Sequence, residues 1–408
     1  MSSAAIPSQV ASDQQRASRP LTRAHKVSDD QEALAIAHEL AAHFRPGASL
    51  RDSHRQLPFA EIEKYSASGL WALTVPKEYG GPAVSIATLA EVTAIISEAD
   101  SSIGQIPQNH YYMLEVVRAN GTVAQKQQIY ELALSGARLG NALSEVGTKT
   151  VGHYNTRIYR QADHFIVSGR KYYSTGALFA HYIPIVARDE TDDLLLAIVR
   201  PDAPGVQVID DWESFGQRTT GSGSTVLDNV RVQPEWVLPY EQSFRVPTAV
   251  GPVGQIVHAA VDLGIASAAI TDLRDFLRSA EQADGVTADP HAVSSYGDLV
   301  VQLHAAEALL QRAGYVVDLL LADPCESKLA KASVAVAEAK ANTTQIALLS
   351  TNQLFELGGV ETTAEALNLD RHWRNARVHT LHDPVRWKFM AVGNYYLNGC
   401  YPPRHGAL

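Results

Sequence analysis

Two histidines and an aspartate fall close together near the end of the sequence, as His379, His382 and Asp383 in the run DRHWRNARVHTLHDPVRWKFMAVGNYY. An imidazole next to a carboxylate can hold or pass a proton near neutral pH, which suits it to acid–base work or to stabilising a charged intermediate. Asp383-Pro384 has the form of a helix start, with Asp as N-cap and Pro at the first helical position. That reading makes Arg371 to about Thr380 one helix and Val385 onward the next. His382 then sits in the short connection, where its ring can face a cavity. On the residues alone two readings stand. Either Asp383 only caps a helix beside a surface His382, or the pair does chemistry. Whether His379 reaches Asp383 across the break is open.

Two further stretches, GNALSEVGTKT (140–150) and GRKYYSTGA (169–177), are rich in hydroxyls and unencumbered backbone amides. They suit a polar planar ligand, or are plain turn chemistry. Trp212, in DDWESFGQRTTGSGS, either stacks on such a ligand or fills a sheet core. A third group, GQIPQNHYYML, sets Asn109, His110, Tyr111 and Tyr112 on an otherwise apolar helix, where His110 reads best as a hydrogen-bonded core residue. The sequence has no H-E-x-x-H, no C-x-x-C pair and no G-x-x-x-x-G-K-[ST], and no metal site is expected. The run Gly221-Ser222-Gly223-Ser224 lies between strands and lacks the spacing of a dinucleotide fingerprint.

The elements that position these groups follow from hydrophobic period. QEALAIAHELAAHFR, Leu57 to Gly69, SIATLAEVTAIISEAD and TVAQKQQIYELALSG read as helices, which makes 31–136 an all-helical domain. From 137 to 247 the period falls to two, in HFIVSG, HYIPIVAR, LLLAIVR, GVQVID and STVLDNVRV, as expected of an antiparallel sheet or barrel. From 248 to 408 helical period returns, with Ala-rich stretches that imply close helix contacts. The β region sits between two helical regions, which excludes a doubly wound α/β sheet. Residues 1–30 read as a mobile tail, with an organellar transit peptide as the alternative.

Composition narrows the class. Of 408 residues, 46% are hydrophobic and 19% charged, which excludes a disordered chain. The net charge of −10 argues against nonspecific nucleic-acid binding. Two cysteines, Cys325 and Cys400, are too few for a disulfide framework, so a reduced, cytoplasmic protein is expected. No run is read as long enough for a membrane helix.

These groups, taken in order, resemble the acyl-CoA dehydrogenase superfamily over nearly the whole chain from about residue 31. The markers are LWALTVPKEYGG, GNALSE, GRKYYSTGA, WESFGQRTTGSGSTVLDNVRV and LDRHWRNARVHTLHDPVRWKFMAVGNYYLNG. The likeness points to the sulfur-acquisition oxidoreductase branch, and at greater distance to flavin-dependent dibenzothiophene monooxygenase. It implies a mostly α protein with a central β domain: an N-terminal helical domain, a middle β-barrel and a C-terminal four-helix bundle. It also implies a homotetramer or homodimer with flavin near a subunit interface. The family's dehydrogenases place a Glu-Gly-Thr base after the penultimate bundle helix, but here the stretch reads Thr380-Leu381-His382-Asp383. The implied chemistry is therefore oxygenation. Reduced FMN from a separate, diffusibly coupled flavin reductase would react with O2 to give a C4a-hydroperoxyflavin that oxygenates a small organosulfur compound.

The resemblance implies catalytic roles for His382, Ser174, Thr175 and Asn141. It implies a flavin surface of Asn109, Asn141, Ala142, Ser144, Glu145, Lys171, Tyr173, Ser174, Thr175, Trp212, Arg278, Gln282, Gly358, Gly359 and His382. Gln282 and Glu361 stand where the monooxygenase relative has phosphate-facing arginines, with Arg278 one turn from Gln282 and the Gly358-Gly359 amides nearby. Asn109 stands where that relative has a tyrosine. Two alternatives remain at this point: an FAD-dependent acyl-CoA dehydrogenase using another base, and a flavin-free binding protein on the same fold.

Overall fold

The computed structural model describes residues 24–147, 154–280 and 289–408. The first helical region contains α1 (Asp30–His54), α2 (Phe59–Ala67), α3 (Ile86–Ala99), α4 (Gln108–Asn120) and α5 (Val123–Leu134). The Asp29 side chain caps α1 by accepting from the Glu32 N–H at 2.9 Å, and Ala33, Ala37, Leu40, Ala41 and Phe44 form its buried face. This helix continues through Pro46, beyond the stretch legible in the sequence. Gly47 leaves room for the Arg51 guanidinium to fold back along the helix, where it pairs with Asp100 and Glu61 at 2.9 Å. Of the tail expected over 1–30, residues 24–29 are not free. Ala24 and Val27 are buried, and the His25 N–H donates to the Ala67 carbonyl at 2.8 Å.

The middle region is one curled seven-stranded sheet in the order β5-β6-β2-β1-β3-β4-β7. Its strands are β1 (Arg157–Arg160), β2 (Phe165–Lys171), β3 (Ile183–Arg188), β4 (Leu194–Val199), β5 (Val206–Ile209), β6 (Ser224–Val232) and β7 (Val237–Leu238). Neighbours pair antiparallel except β1 and β3, which meet in parallel at Arg157 and Arg188. Alternation along the strands buries Ile158, Val167, Val230 and Val232 on one inner face.

The second helical region is α6 (Val250–Ala280), α7 (Pro290–Ala322), α8 (Glu326–Gly358), α9 (Asp370–His379) and α10 (Val385–Asn398). Helix α6 is its axis. Small residues bring its neighbours in close: a Cβ on Gly264 would lie 2.5 Å from the Ala94 carbonyl oxygen of α3. The expectation that no run is long and apolar enough to cross a membrane needs correction, because α6 passes by length and composition with a mean hydropathy of 1.5. In the fold, 94% of its most apolar window is buried. The apolarity serves the core between α3, α7 and α8.

Candidate active site

A cavity of about 430 Å³ opens where the three regions meet. Its walls come from α4, the segment before β1, the ends of β3 and β4, the first turns of α6, the α9–α10 connection and residues 404–407. The volume is within the range of small-molecule sites. Asn109, Asn141, Ser144, Tyr173 and His382 all line it, so five of the residues expected at the flavin meet here. Asn109 is buried, and its Nδ2 donates to the Gly140 carbonyl at 2.5 Å, tying α4 to the following loop. The Asn141 Oδ1 accepts from the Leu143 N–H at 3.0 Å. Tyr173 is 47% exposed and adopts φ 56°, a left-handed conformation uncommon for a bulky residue. The Ser174 N–H holds that turn in place by donating to the Gly223 carbonyl at 3.0 Å.

Several other predicted residues lie behind this wall. Ser174 is buried, with its hydroxyl accepting from Thr225 at 2.9 Å, and Thr175 shares a hydrogen bond with Ser222 at 2.7 Å. Ala142 is buried and bridges Ile185 through its backbone. Trp212 meets the cavity only through Tyr173, with ring centroids 6.0 Å apart, while its Nε1–H donates to the Gln217 carbonyl at 2.9 Å. Glu145 and Lys171 form a closed ion pair at 2.8 Å. The carboxylate also accepts from the Asn155 and Thr156 N–H groups at 2.7 and 3.0 Å, and the ammonium donates to the Leu143 carbonyl at 2.9 Å. Burial pushes the Lys171 ammonium down to about 8 in spite of Glu145. Burial would raise Glu145, but Lys171 and the two backbone donors outweigh it and hold the carboxylate below its ordinary range. His110 is the core residue expected, bonded to the Trp71 carbonyl at 2.7 Å and to the Leu139 N–H at 3.0 Å.

His382 sits in the α9–α10 connection, with its side chain 44% exposed. Asp383 is not the helix cap that its sequence context suggests, since α10 begins without a side-chain cap. Its carboxylate turns inward instead, 3.3 Å from His382 Nδ1 and 3.0 Å from the Gln255 amide nitrogen. The Gln255 carbonyl accepts from Lys388 Nζ at 2.7 Å. Burial would raise Asp383, but His382, Lys388 and Gln255 together hold it well below the usual carboxylate range. Gln255, His258 and Asp262 follow at three- and four-residue spacing on one face of α6. The His258 ring lies against His382 with centroids 4.1 Å apart, and His258 Nδ1 is 3.1 Å from His379 Nε2. His258, His382 and Asp383 each bring one donor atom within 4.8 Å of the others, a set with the reach of a metal site. His379 and Asp383 do not bond directly; the two other imidazoles lie between them.

Family comparisons follow the three regions. The acyl-CoA dehydrogenase N-terminal, middle and C-terminal domains match residues 28–137, 142–230 and 256–387. The chain belongs to the acyl-CoA dehydrogenase family. Within it, the chain is 31% identical to a dibenzothiophene monooxygenase of Rhodococcus qingshengii, over 91% of this chain and 95% of that one. It is equally 31% identical to a probable FMNH2-dependent monooxygenase of Pseudomonas putida, over 91% and 96% of the two chains. The crystal structure of FMN-bound TdsC from Paenibacillus sp. A11-2 superposes with a TM-score of 0.87 at 30% identity, covering 92% of this chain and all of that one.

In this acyl-CoA dehydrogenase-family chain the described residues expected near a flavin phosphate do not line this cavity. Arg278 is exposed near the far end of α6, about 30 Å along the helix axis from His258. Gly358 and Gly359 close α8 at the same end, where a Cβ on Gly358 would lie 3.4 Å from Phe276. Gly359 takes φ 70°, and its N–H is already engaged by the Phe355 carbonyl at 2.9 Å, so the turn offers fewer free amides than expected. Gln282 lies outside the described residues, as does the 148–150 end of the GNALSEVGTKT stretch. Sequence reasoning missed Gln255, His258, Asp262, Lys340 and Lys388. Three of them interrupt an otherwise apolar helix at one-face spacing, a signal that was available.

Proposed function

We propose that the chain is a monooxygenase that takes reduced FMN from a flavin reductase and uses O2 to oxygenate a small organosulfur compound. The observation that carries this is His382 facing the same cavity as Asn109, Asn141 and Ser144, with the neighbouring carboxylate drawn off into Gln255 and Lys388. A carboxylate held that far below its usual range is a poor general base, which disfavours abstraction of an α-proton from a thioester. Amides, a hydroxyl and imidazoles around an aromatic wall fit a planar polar heterocycle of flavin type. Reduced FMN, when bound, supplies the electron pair with which one oxygen atom enters the substrate and the other leaves as water. Asn141 and Ser144 orient the ring, and Asn109 fixes the wall behind it. His382 holds a proton where the oxygen chemistry occurs.

Arg278 and the Gly358-Gly359 turn are too far along the bundle for one flavin to span both them and His382. In this reading they serve a site shared with a second copy. Support for an oligomer comes from the exposed apolar side of α10, where Trp387, Phe389, Met390 and Leu397 are 48, 49, 52 and 85% exposed. Light scattering that finds only monomer with a complete flavin site would remove this part. The main reading is tested by anaerobic titration with FMNH2, then by turnover on sulfides, sulfinates and sulfones with a reductase. Hydrogen peroxide as the sole product across that set would overturn it.

A further inference from the structure

Beneath His382, a line of buried polar groups runs through the bundle. Asp262 is fully buried, and its Oδ2 accepts from Lys340 Nζ at 2.6 Å and from Thr344 Oγ1 at 2.8 Å. Its Oδ1 is 2.5 Å from His379 Nδ1. An ionised carboxylate only accepts, so His379 Nδ1 carries the hydrogen. A neutral imidazole has one N–H, which leaves His379 Nε2 as an acceptor, and its partner at 3.1 Å, His258 Nδ1, must donate. His258 Nε2 is thereby left bare, on the ring whose centroid lies 4.1 Å from that of His382. We infer that Asp262, acting through His379, locks His258 in the Nδ1–H tautomer, and that His258 is the proton-exchange partner of His382.

In that exchange, carried through one bridging water across donor atoms within 4.8 Å of one another, the N–H bond at His382 breaks as one forms at His258 Nε2, and no net proton enters or leaves the pair. The charge so placed on His258 is stabilised along the hydrogen bonds to His379 and Asp262. The charged and titratable groups around His258 are Lys340 from α8, His379 from α9, His382 and Asp383 from the connection, Lys388 from α10, Tyr112 from α4 and Asp262 on α6 itself. Burial first, then the neighbouring histidines and lysines, holds His258 far below its ordinary value, so the ring is neutral at rest. Burial likewise keeps His379 low despite Asp262. The relay therefore accepts a proton only briefly and returns it. His379 and Asp262 are positioning residues. The exchange role rests on the oxygenase reading, whereas the tautomer does not.

Histidine-labelled full-length protein without flavin gives the first readout, its ¹⁵N spectrum recorded between about pH 6 and 8. Two non-titrating rings with protonated Nδ1 and bare Nε2 are expected, assigned by their loss in His258→Gln and His379→Gln. An Asn at position 262 can donate to His379 Nδ1, so Asp262→Asn should reverse both tautomers. Product formed per O2 consumed should then fall about 10-fold or more, by the wrong-tautomer logic known for a buried Asp–His pair, with FMNH2 affinity unchanged. A wild-type His258 protonated at Nε2 overturns the inference, and this decides even if Asp262→Asn fails to fold. Unchanged coupling in a folded Asp262→Asn protein overturns the exchange role. The expected tautomers, with no sulfur compound oxygenated by wild type, would sink the oxygenase reading and leave the lock standing.

Discussion

Two buried carboxylate–lysine pairs, Glu145–Lys171 beside the sheet and Asp262–Lys340 in the bundle, begin from the same chemistry and end differently. Each is nearly or wholly out of solvent, with N···O distances of 2.8 and 2.6 Å. Around Glu145 the remaining lone pairs go to backbone N–H groups and a threonine hydroxyl, and Lys171 spends a proton on a carbonyl. Both Glu145 oxygens are tied to fixed donors and, among the described residues, no imidazole links the pair to the cavity, so it is a rivet for the loop that carries Asn141 and Ser144. Around Asp262 one oxygen is met by an imidazole. That single replacement connects the pair through two more rings to the cavity. What satisfies the leftover lone pair decides whether a buried ion pair is structural or coupled to chemistry.

The sharpest way to break the contrast is at its outer end. His382→Ala should lower oxygenated product by roughly 10²–10⁴-fold, the range for removing a positioned acid–base group, while O2 is still consumed and hydrogen peroxide accumulates. Lys171→Met attacks the rivet. Leaving Glu145 buried without its partner should cost about 3–5 kcal/mol in chemical denaturation, with the pH profile of any surviving activity unmoved.

Acid titration separates the two pairs more finely. Although burial alone would raise it, Lys340 and His379 bring the Asp262 carboxyl down to about 2. A depressed carboxyl stabilises the fold above its unfolded pKa, and this contribution is lost as pH falls from about 4 toward 2. It amounts to roughly 2–3 kcal/mol, and the wild-type minus Asp262→Asn unfolding free energy should shrink over that interval. A constant difference would show that Asp262 is not ionised in the fold. The smallest effect concerns the donor set at the relay's mouth. If His258 and His382 work as proton groups beside an ionised Asp383, a chelator should change turnover by less than about 2-fold, and a dependence on added metal would recast the three as ligands.

The three-part order was legible because the hydrophobic period switches from helical to alternating at 137 and back at 248. Boundaries were less so. Helix α1 runs past Pro46 because Arg51 folds back over Gly47 toward Asp100, a partner 49 residues distant that no local pattern names. Asp383 was misread as a cap for the same reason. Its local context is that of a helix start, but Gln255 lies 128 residues away in sequence and 3.0 Å away in space. His382, Asn109, Asn141 and Ser144 could be picked out because their neighbourhoods resemble a family pattern. The one-face spacing of His258 and Asp262 on α6 was visible, but what it means arises only when α6, α8 and α9 pack together, and Lys340 carried no signal of its own.

The contact of Gly264 with the Ala94 carbonyl has a consequence for how this enzyme could be altered from a distance. Gly264 is two residues from Asp262 and six from His258. A methyl group there would meet backbone that cannot yield, so α6 must shift as a rod, carrying both side chains with it. A screen for variants that waste reductant should therefore recover substitutions along this helix-to-helix seam, remote from every atom the substrate touches.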